Sequence, residues 1–192
     1  MYESHYNIFK KHYGENIKLL MTDTDSFIYE IKTEDVYSDM YDMKEFYDLS
    51  NYSKDFTIKG GVNAGKKLFD KTNQKVLGKF KDELGGKPMS EFIGLKSKMY
   101  AFSKNDGSEK KVGKGIKKGV LNRDIKFNNY KDAIFKEDKC VQYHKMSGIV
   151  SKNHKIYAQE QIKRGISSYD DKRYYLEDGI NSNAYGHFRI NK

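Results

Sequence analysis

The chain has 192 residues, a length that fits one ordinary domain or two small lobes and excludes a complete multidomain enzyme. Its 36 basic and 27 acidic side chains leave a net charge of +9, which favours polyanionic partners, and nucleic acid is the commonest of these. A single cysteine, Cys140, excludes an intramolecular disulfide framework and favours a reducing compartment. No apolar run approaches the length that spans a bilayer, so no membrane partner is expected.

The first third of the chain predicts a helix, a hairpin and a second helix. Aromatic residues recur every three or four positions over 2–13, which predicts a short helix that Gly14 ends. Two apolar runs, 17–21 and 27–31, flank an acidic turn and predict a β-hairpin. A second helix over 36–47 is expected to be capped by Thr33.

The remaining two thirds are predicted to pass from loop to strands to helices. Residues 50–75 contain several glycines and are expected to be a loop. Short apolar runs predict strands at 76–80, 92–95 and 99–102. From 125 to 165, apolar residues are spaced among Lys, Glu and Gln, which favours helices.

The acidic turn carries two carboxylates, Asp23 and Asp25, that are separated by one residue. Two anions this close repel each other unless a cation or strong hydrogen-bond donors compensate, and carboxylate oxygens suit Mg²⁺ or Mn²⁺. A second interpretation is a solvated turn whose Asp and Ser side chains cap backbone amides. The spacing alone leaves both interpretations open.

The residues around this turn resemble a known family. Leu-Met-Thr-Asp-Thr-Asp-Ser at 20–26 is similar to motif C of the family B DNA polymerases, with Met21 where that motif has tyrosine. The segment 77–83 resembles the palm segment after motif C, and 98–100 matches the Lys-x-Tyr motif. Their order and spacing resemble the protein-primed branch, especially the polymerases of large self-synthesising DNA transposons and related viruses. Residues 169–174 and 185–188 are similar to the end of those enzymes.

The resemblance implies an α+β fold with two parts. Residues 1–102 would be the C-terminal part of a polymerase palm, an antiparallel sheet with the acidic hairpin and the Lys-x-Tyr motif. Residues 103–192 would be a thumb-like, mainly helical region. A nuclear location is implied if the relatives are eukaryotic transposons.

The same resemblance implies DNA-directed DNA synthesis by two-metal catalysis. Asp25 would bind both Mg²⁺ (or Mn²⁺) ions, and Asp23 would support or share that coordination. The partners would be a DNA primer-template, deoxynucleoside triphosphates and, in the protein-primed branch, a terminal protein as primer. Lys98 and Tyr100 would contact the primer end, and the lysines around them supply positive charge for phosphates. The DNA-binding side chains expected in this way are Lys96, Lys98, Tyr100, Lys114, Lys117 and Lys118.

Motif A, which supplies the opposing metal ligand, and motif B, whose lysine binds the triphosphate, are absent from the sequence. The chain is therefore expected to be a C-terminal polymerase fragment that is inactive alone. The alternative is a non-catalytic nucleic-acid-binding module derived from a polymerase thumb. The two hypotheses differ over Asp23 and Asp25, which only a catalyst needs.

Two further patterns point to other functions more weakly. The glycine-rich stretch 60–67 comes close to a nucleotide-binding phosphate loop, but Lys67 stands where that loop needs Ser or Thr, so a basic surface loop is expected. The five histidines are scattered and lack the spacing of a metal site. No cofactor other than the divalent ions is therefore expected.

Overall fold

The computed structural model describes residues 1–169, 173–178 and 181–190. These residues form two compact units. The first contains Met1–Ser90 with Lys104–Asp106, and the second contains Glu91–Ser103 with the described residues from Gly107 onward. The fold is mixed α+β with several small antiparallel sheets, as the sequence predicts at this level. The palm–thumb boundary after residue 102 stays a prediction. Within the described residues, no helix is long and apolar enough to cross a membrane.

The first unit begins with a helical segment and a β-hairpin, and the structure confirms both predictions. A π-helical turn Ser4–Phe9 continues into α1 Lys10–Tyr13, and a short 3₁₀ turn Gly14–Asn16 follows. Gly14 has φ +57°, a conformation that glycine adopts readily, and the α-helix ends there. Strands β1 Ile17–Asp23 and β2 Ser26–Ile31 then pair antiparallel.

The second helix of this unit is shorter than the sequence predicts, and a different residue caps it. α2 is Val36–Asp42, followed by a 3₁₀ turn Lys44–Phe46. Asp35, not Thr33, is the cap, because its carboxylate accepts hydrogen bonds from the amides of Tyr37 and Ser38.

Residues 50–75 are irregular, as predicted, but the strand predicted at 76–80 is wrong. Turns occupy most of this stretch, because Lys75 and Gly78 both adopt positive φ, at 60° and 81°, and interrupt an extended chain. Within 76–80, only Phe80 takes part in an isolated bridge, to Tyr47.

The second unit is built on a three-stranded antiparallel sheet followed by two short helices. Strands β3 Met89–Lys96, β4 Met99–Lys104 and β5 Glu109–Gly113 pair in chain order, which confirms the strands predicted near 92–95 and 99–102. Helices α3 Lys118–Arg123 and α4 Phe127–Phe135 follow. The core of this unit includes the fully buried Ala101, Ile125, Tyr130 and Ile166.

The mainly helical character predicted for the C-terminal region is wrong. Within 125–165 the helical residues are those of α4 and of a 3₁₀ turn, Glu137–Lys139. β6 Val141–Lys152 and β7 Lys155–Ser167 form a long antiparallel hairpin. Its two-residue loop, Asn153 and His154, has φ of 51° and 60°, and positive φ at both loop residues is typical of type I′ hairpin turns. The β-branched and aromatic residues of this stretch suit strands, although their spacing among Lys, Glu and Gln resembles a helical pattern.

A short two-stranded sheet lies near the end of the described residues. β8 Arg173–Tyr175 pairs antiparallel with β9 Ser182–Ala184. The motif resemblance at 169–174 lies partly outside the described residues, since 170–172 are not among them.

Candidate functional site

The acidic turn lies at the tip of the β1–β2 hairpin. Asp23 is the last residue of β1 and pairs with Ser26, so Thr24 and Asp25 form a two-residue loop. The Asp25 amide donates to the Asp23 carbonyl at 2.6 Å, and the Ser26 hydroxyl donates to the same carbonyl at 3.1 Å. Thr24 adopts φ +55°, which is unusual for a β-branched residue. These bonds define the backbone that carries both carboxylates.

A β-bulge sets the face on which Asp23 lies. The strand register shifts at Leu20, between the pairs Leu19–Tyr29 and Met21–Ile28. Side chains alternate along a strand, so this shift places Met21 and Asp23 on the face opposite to Tyr29. Asp23 is half-buried and Asp25 is exposed. The bulge therefore directs the Asp23 carboxylate away from the apolar face of the hairpin.

The opposite face of the hairpin is anchored in an aromatic cluster. The Phe27 ring lies 5.1 Å from that of Tyr29 and 5.7 Å from that of Phe80, measured between centroids. Phe9 packs edge-on to Phe80 at 5.3 Å, and the His5 ring stacks on Tyr29 at 5.7 Å. Burial raises the pKa of Tyr29 to about 12. The hairpin is thus held from one side while its tip stays accessible.

The two carboxylates have the donor atoms that a hard divalent cation prefers, because both supply anionic oxygens. They are not sufficient in number. No group of three or more His, Cys, Asp or Glu side chains within the described part of the chain is arranged to hold a metal ion. Asp23 also accepts a long hydrogen bond of 3.3 Å from the Thr24 hydroxyl. The turn therefore offers two carboxylates, fewer than the three side chains of such a group.

The second unit contains a separate basic pocket of about 430 Å³. It is formed where the β3–β4 turn, the end of β5 and the start of α3 meet, and it brings four lysines together. Val112, Gly113 and Leu121 contribute the rest of its wall, with Asn122 at the edge. The four lysines that line this pocket, called the lysine pocket below, are Lys98, Lys111, Lys114 and Lys118.

The structure brings only some of the predicted DNA-binding residues together. Lys98, Lys114 and Lys118 share the lysine pocket, whereas Lys96 and Lys117 are not among its lining residues. Lys96 donates instead to the Tyr169 carbonyl at 2.6 Å.

Tyr100 lies next to the lysine pocket and is half-buried. It is the cross-strand partner of Val112, and its ring lies 6.0 Å from that of Phe92. The Lys-x-Tyr motif thus contributes its lysine to the pocket and its tyrosine to the adjoining sheet.

Sequence reasoning did not single out Lys111 and Asn122. Lys111 belongs to the basic stretch 96–118. Only the strand register, which places it opposite Ala101 on β5, distinguishes it from the neighbouring lysines. Asn122 follows the buried Leu121 on a short helix, and nothing in the sequence marks it.

No protein-family model matches the chain, and neither a search of curated proteins nor a search of solved structures found a similar protein. The family resemblance therefore depends on the motifs in the sequence.

Proposed function

We propose that the chain is part of a DNA-directed DNA polymerase, in which the acidic hairpin supplies two carboxylates of a two-metal nucleotidyl-transfer site. The observation that carries this proposal is the placement of Asp23 and Asp25 at the accessible tip of a hairpin whose other face packs in an aromatic cluster. A solvated surface turn needs no such support, whereas a metal-binding turn needs ligands that are held in place.

In this proposal Asp25 and Asp23 would hold Mg²⁺ or Mn²⁺, with further ligands from motif A of the complete enzyme. Such ions lower the pKa of the primer 3′-hydroxyl and neutralise charge on the leaving group. The chain's own contribution is to orient the carboxylates, through the tight loop and the Ser26 contact, and to bind DNA phosphates through lysines of the second unit.

The proposal predicts that the purified chain does not extend a primer. Two carboxylates without an opposing ligand do not hold two metal ions against a triphosphate. Incorporation of nucleotides that depends on Mg²⁺ and is abolished by Asp25→Asn would show instead that the chain supplies a complete site.

A Mn²⁺ titration followed by NMR tests the metal-binding part directly. We expect selective broadening of the Thr24, Asp25 and Ser26 amide signals, and loss of this broadening in Asp25→Asn. Glu30→Gln is the matched control, because Glu30 is an exposed acid on the same hairpin and lies 3.8 Å from Lys18. Uniform broadening along the chain, or tip broadening that persists in Asp25→Asn, would contradict the proposal.

A second candidate function is a non-catalytic nucleic-acid-binding module. The lysine pocket favours it, because four lysines from three segments surround one depression without any contribution from Asp23 or Asp25. The two functions separate cleanly by mutation. A module of this kind binds DNA and needs neither carboxylate, whereas a polymerase loses synthesis when Asp25 is changed.

A further inference from the structure

One face of the β6–β7 hairpin carries large apolar side chains that are exposed to solvent. Along β6 the burial alternates: Tyr143 and Ile149 are exposed, whereas Met146, on the other face, is buried in the core of the second unit. Cross-strand partners lie on the same face of a sheet, so the strand register adds residues of β7 to the exposed face. The large apolar residues of this face, called the apolar face below, are Tyr143, Ile149, Ile156 and Ile162, each 62–78% exposed.

These four side chains form two neighbouring pairs. Ile149 and Ile156 are diagonal neighbours across the strands near the hairpin loop, and Tyr143 and Ile162 are diagonal neighbours near the other end. Exposed apolar patches of a few hundred Å² mark interaction sites in soluble proteins. A two-stranded hairpin is only marginally stable in water unless another layer packs on it. A second layer on the apolar face would therefore stabilise the hairpin.

The charges of the hairpin are divided unequally between its two faces. On the apolar face, Lys145 forms an ion pair with Glu160, and Arg164 lies beside Tyr143, so both signs of charge are present. The lysines on the other face are Lys152, Lys155 and Lys163. A nucleic acid would favour the basic face. The apolar face instead suits a protein surface that is also apolar and carries both signs of charge.

We propose that the apolar face packs against the apolar face of a second copy of this chain. On β6, Lys145 lies between the two exposed apolar residues of that strand, and on β7, Glu160 lies between the other two. The pattern is therefore apolar, charged and apolar along both strands. A twofold contact brings the same patch from both protomers together, so the apolar pairs cover each other and Lys145 can reach the partner's Glu160. Dimerisation through this face is independent of the polymerase proposal, because it involves neither Asp25 nor DNA.

The dimer is expected to be weak. Five cross-strand pairs lie on the apolar face, whereas a standard interface has about 20 to 30 residues a side. We expect a dissociation constant of about 100 μM. The net charge of +9 on each chain opposes association, so added salt should strengthen the dimer by screening this repulsion.

Sedimentation equilibrium of the full chain, from about 10 μM to about 1 mM, measures this dissociation constant. Ile149→Thr keeps a β-branched residue in the strand but removes apolar surface, and a twofold interface loses it twice, so dimerisation should weaken about tenfold. Leu77→Thr is the matched control, because Leu77 is an apolar residue of the first unit that is 96% exposed. It should keep the dissociation constant of the parent. A parent that is monomeric throughout, or equal weakening in both variants, would overturn the proposal.

A charge exchange tests whether the occupant is a second copy. Lys145→Glu and Glu160→Lys each place two like charges in the middle of the apolar face, so each variant alone should dimerise about tenfold more weakly than the parent. An equimolar mixture of the two should regain a dissociation constant within about threefold of the parent's, because each protomer then meets the opposite charge. Circular dichroism should show intact folding, since an exposed ion pair contributes little to stability. A mixture that associates no better than either variant alone would overturn the proposal.

Salt and DNA separate this dimer from a nucleic-acid surface. Dimerisation should strengthen as the salt concentration rises, whereas binding to phosphates weakens. A dimer that dissociates at higher salt would contradict an apolar interface. A lower DNA affinity of Ile149→Thr, with its oligomeric state unchanged, would assign the apolar face to nucleic acid and would also overturn the proposal.

Discussion

The Tyr52 hydroxyl donates a hydrogen bond of 2.6 Å to Oδ2 of Asp82. The same carboxylate accepts the amide of Leu84 at 2.8 Å and that of Gly86 at 2.9 Å. Asp82 thus fixes the loop after Phe80 to the core of the first unit. Burial, followed by the nearby Asp82 charge, raises the pKa of Tyr52 well above its ordinary value. Asp82 belongs to the segment that resembles a polymerase palm, and its structural role is independent of any catalysis.

Tyr52→Phe should lower the free energy of unfolding by about 1 to 2 kcal/mol, because it removes a buried donor from a charged acceptor. Urea denaturation of the purified chain measures the change. Tyr6→Phe is the control, since Tyr6 is 61% exposed. It should change stability by less than about 0.5 kcal/mol. Equal stability of the Tyr52 and Tyr6 variants would show that the bond to Asp82 contributes little.

Gly61→Ala should be more destabilising than Gly65→Ala. Both glycines have positive φ, at 70° and 85°, so both substitutions introduce strain of about 1 to 2 kcal/mol. A Cβ on Gly61 would also lie 2.7 Å from Cβ and Oγ of Ser38, whereas Gly65 faces open space. We expect Gly61→Ala to cost at least about 1 kcal/mol more, measured by urea denaturation, because the backbone must shift to relieve the overlap. The opposite order would contradict this packing.

The stretch 60–67, which comes close to a phosphate-loop pattern, has a structural role in the first unit. The buried Asn63 side chain donates to the Ser38 carbonyl at 3.1 Å and to Asp42 at 2.9 Å. Lys66 Nζ donates to Asn63 Oδ1 at 2.7 Å and lies 4.8 Å from the Tyr41 ring centre. Gly61, Asn63 and Lys66 therefore pack the loop against α2. Lys66 and Lys67 are exposed, as expected of a basic surface loop, whereas Asn63 is buried.

Local patterns predicted the first helix, the acidic hairpin and the strands near 92–95 and 99–102. The acidic hairpin follows from two apolar runs around Asp23 and Asp25, and its register needs no distant contact. The β6–β7 hairpin was not predicted, because its signal lies in Asn153 and His154, which do not form a familiar turn dipeptide. Asp35, and not Thr33, caps α2 because it directly precedes Val36, and its other carboxylate oxygen accepts the distant Gly60 amide at 2.8 Å. Long-range contacts of this kind have no signature in a single sequence.

In the candidate site too, the sequence predicted the local feature, and long-range contacts determine the rest. Lysines within 96–118 were predicted as a positive surface, but the structure selects those that meet at one pocket. Strand alternation separates Lys110 from Lys111, and the hydrogen bond to Ile125 fixes the latter. Charge composition predicts a polyanion partner, whereas the pocket depends on where the β3–β4 turn, the end of β5 and the start of α3 come together.

The His144 side chain should make the protein less stable in mild acid. Burial is the main cause of its lowered pKa, partly opposed by the Asp124 charge, and Lys163 is its cross-strand partner. The unfolded chain takes up a proton near pH 6.5, whereas the folded chain takes it up only at lower pH. This stability is therefore present above about pH 6.5 and is lost as the pH falls towards the folded pKa.

Thermal denaturation at pH 7.5 and pH 5.5 measures this effect. Between pH 7.5 and pH 5.5, the Tm of the parent should fall further than the Tm of His144→Gln, because glutamine does not titrate. His12→Gln is the control, since His12 is exposed, and it should follow the parent. An identical acid sensitivity in the parent and His144→Gln would assign the loss to other groups.

DNA binding should weaken steeply with salt. Each phosphate contact releases counterions, so log K falls with log salt by about 0.9 per contact on duplex DNA. Lys98→Gln should reduce this slope by about 0.9, the contribution of one phosphate contact. It should lower the affinity for every DNA sequence alike. Lys11→Gln, at an exposed lysine of α1, should leave both unchanged. Binding that is independent of salt, or absent at low ionic strength, would contradict a phosphate-binding surface.

Asp25→Asn should abolish DNA synthesis by an enzyme in which this chain is complemented by motifs A and B. Asparagine keeps the size of the side chain and suits turns, and the loop bonds that involve the Asp23 carbonyl come from the Asp25 amide and the Ser26 hydroxyl. The hairpin should therefore survive while the metal ions lose a charged ligand. Loss of one electrostatic element of a preorganised site costs about 10²-fold or more in rate. DNA affinity should stay constant, because the phosphate contacts come from the second unit.

Primer extension under single-turnover conditions measures this loss, with circular dichroism as the check on folding. Asp23→Asn should also be harmful, although less so, because Asp23 supports or shares the coordination. Glu30→Gln, on the same hairpin but beside Lys18, should retain synthesis within about twofold, since exposed ion pairs contribute little. A capped surface turn predicts the reverse for Asp25→Asn, because asparagine also caps turns well. Synthesis within about threefold of the parent would therefore assign the carboxylates a structural role and remove the turn from the catalytic site.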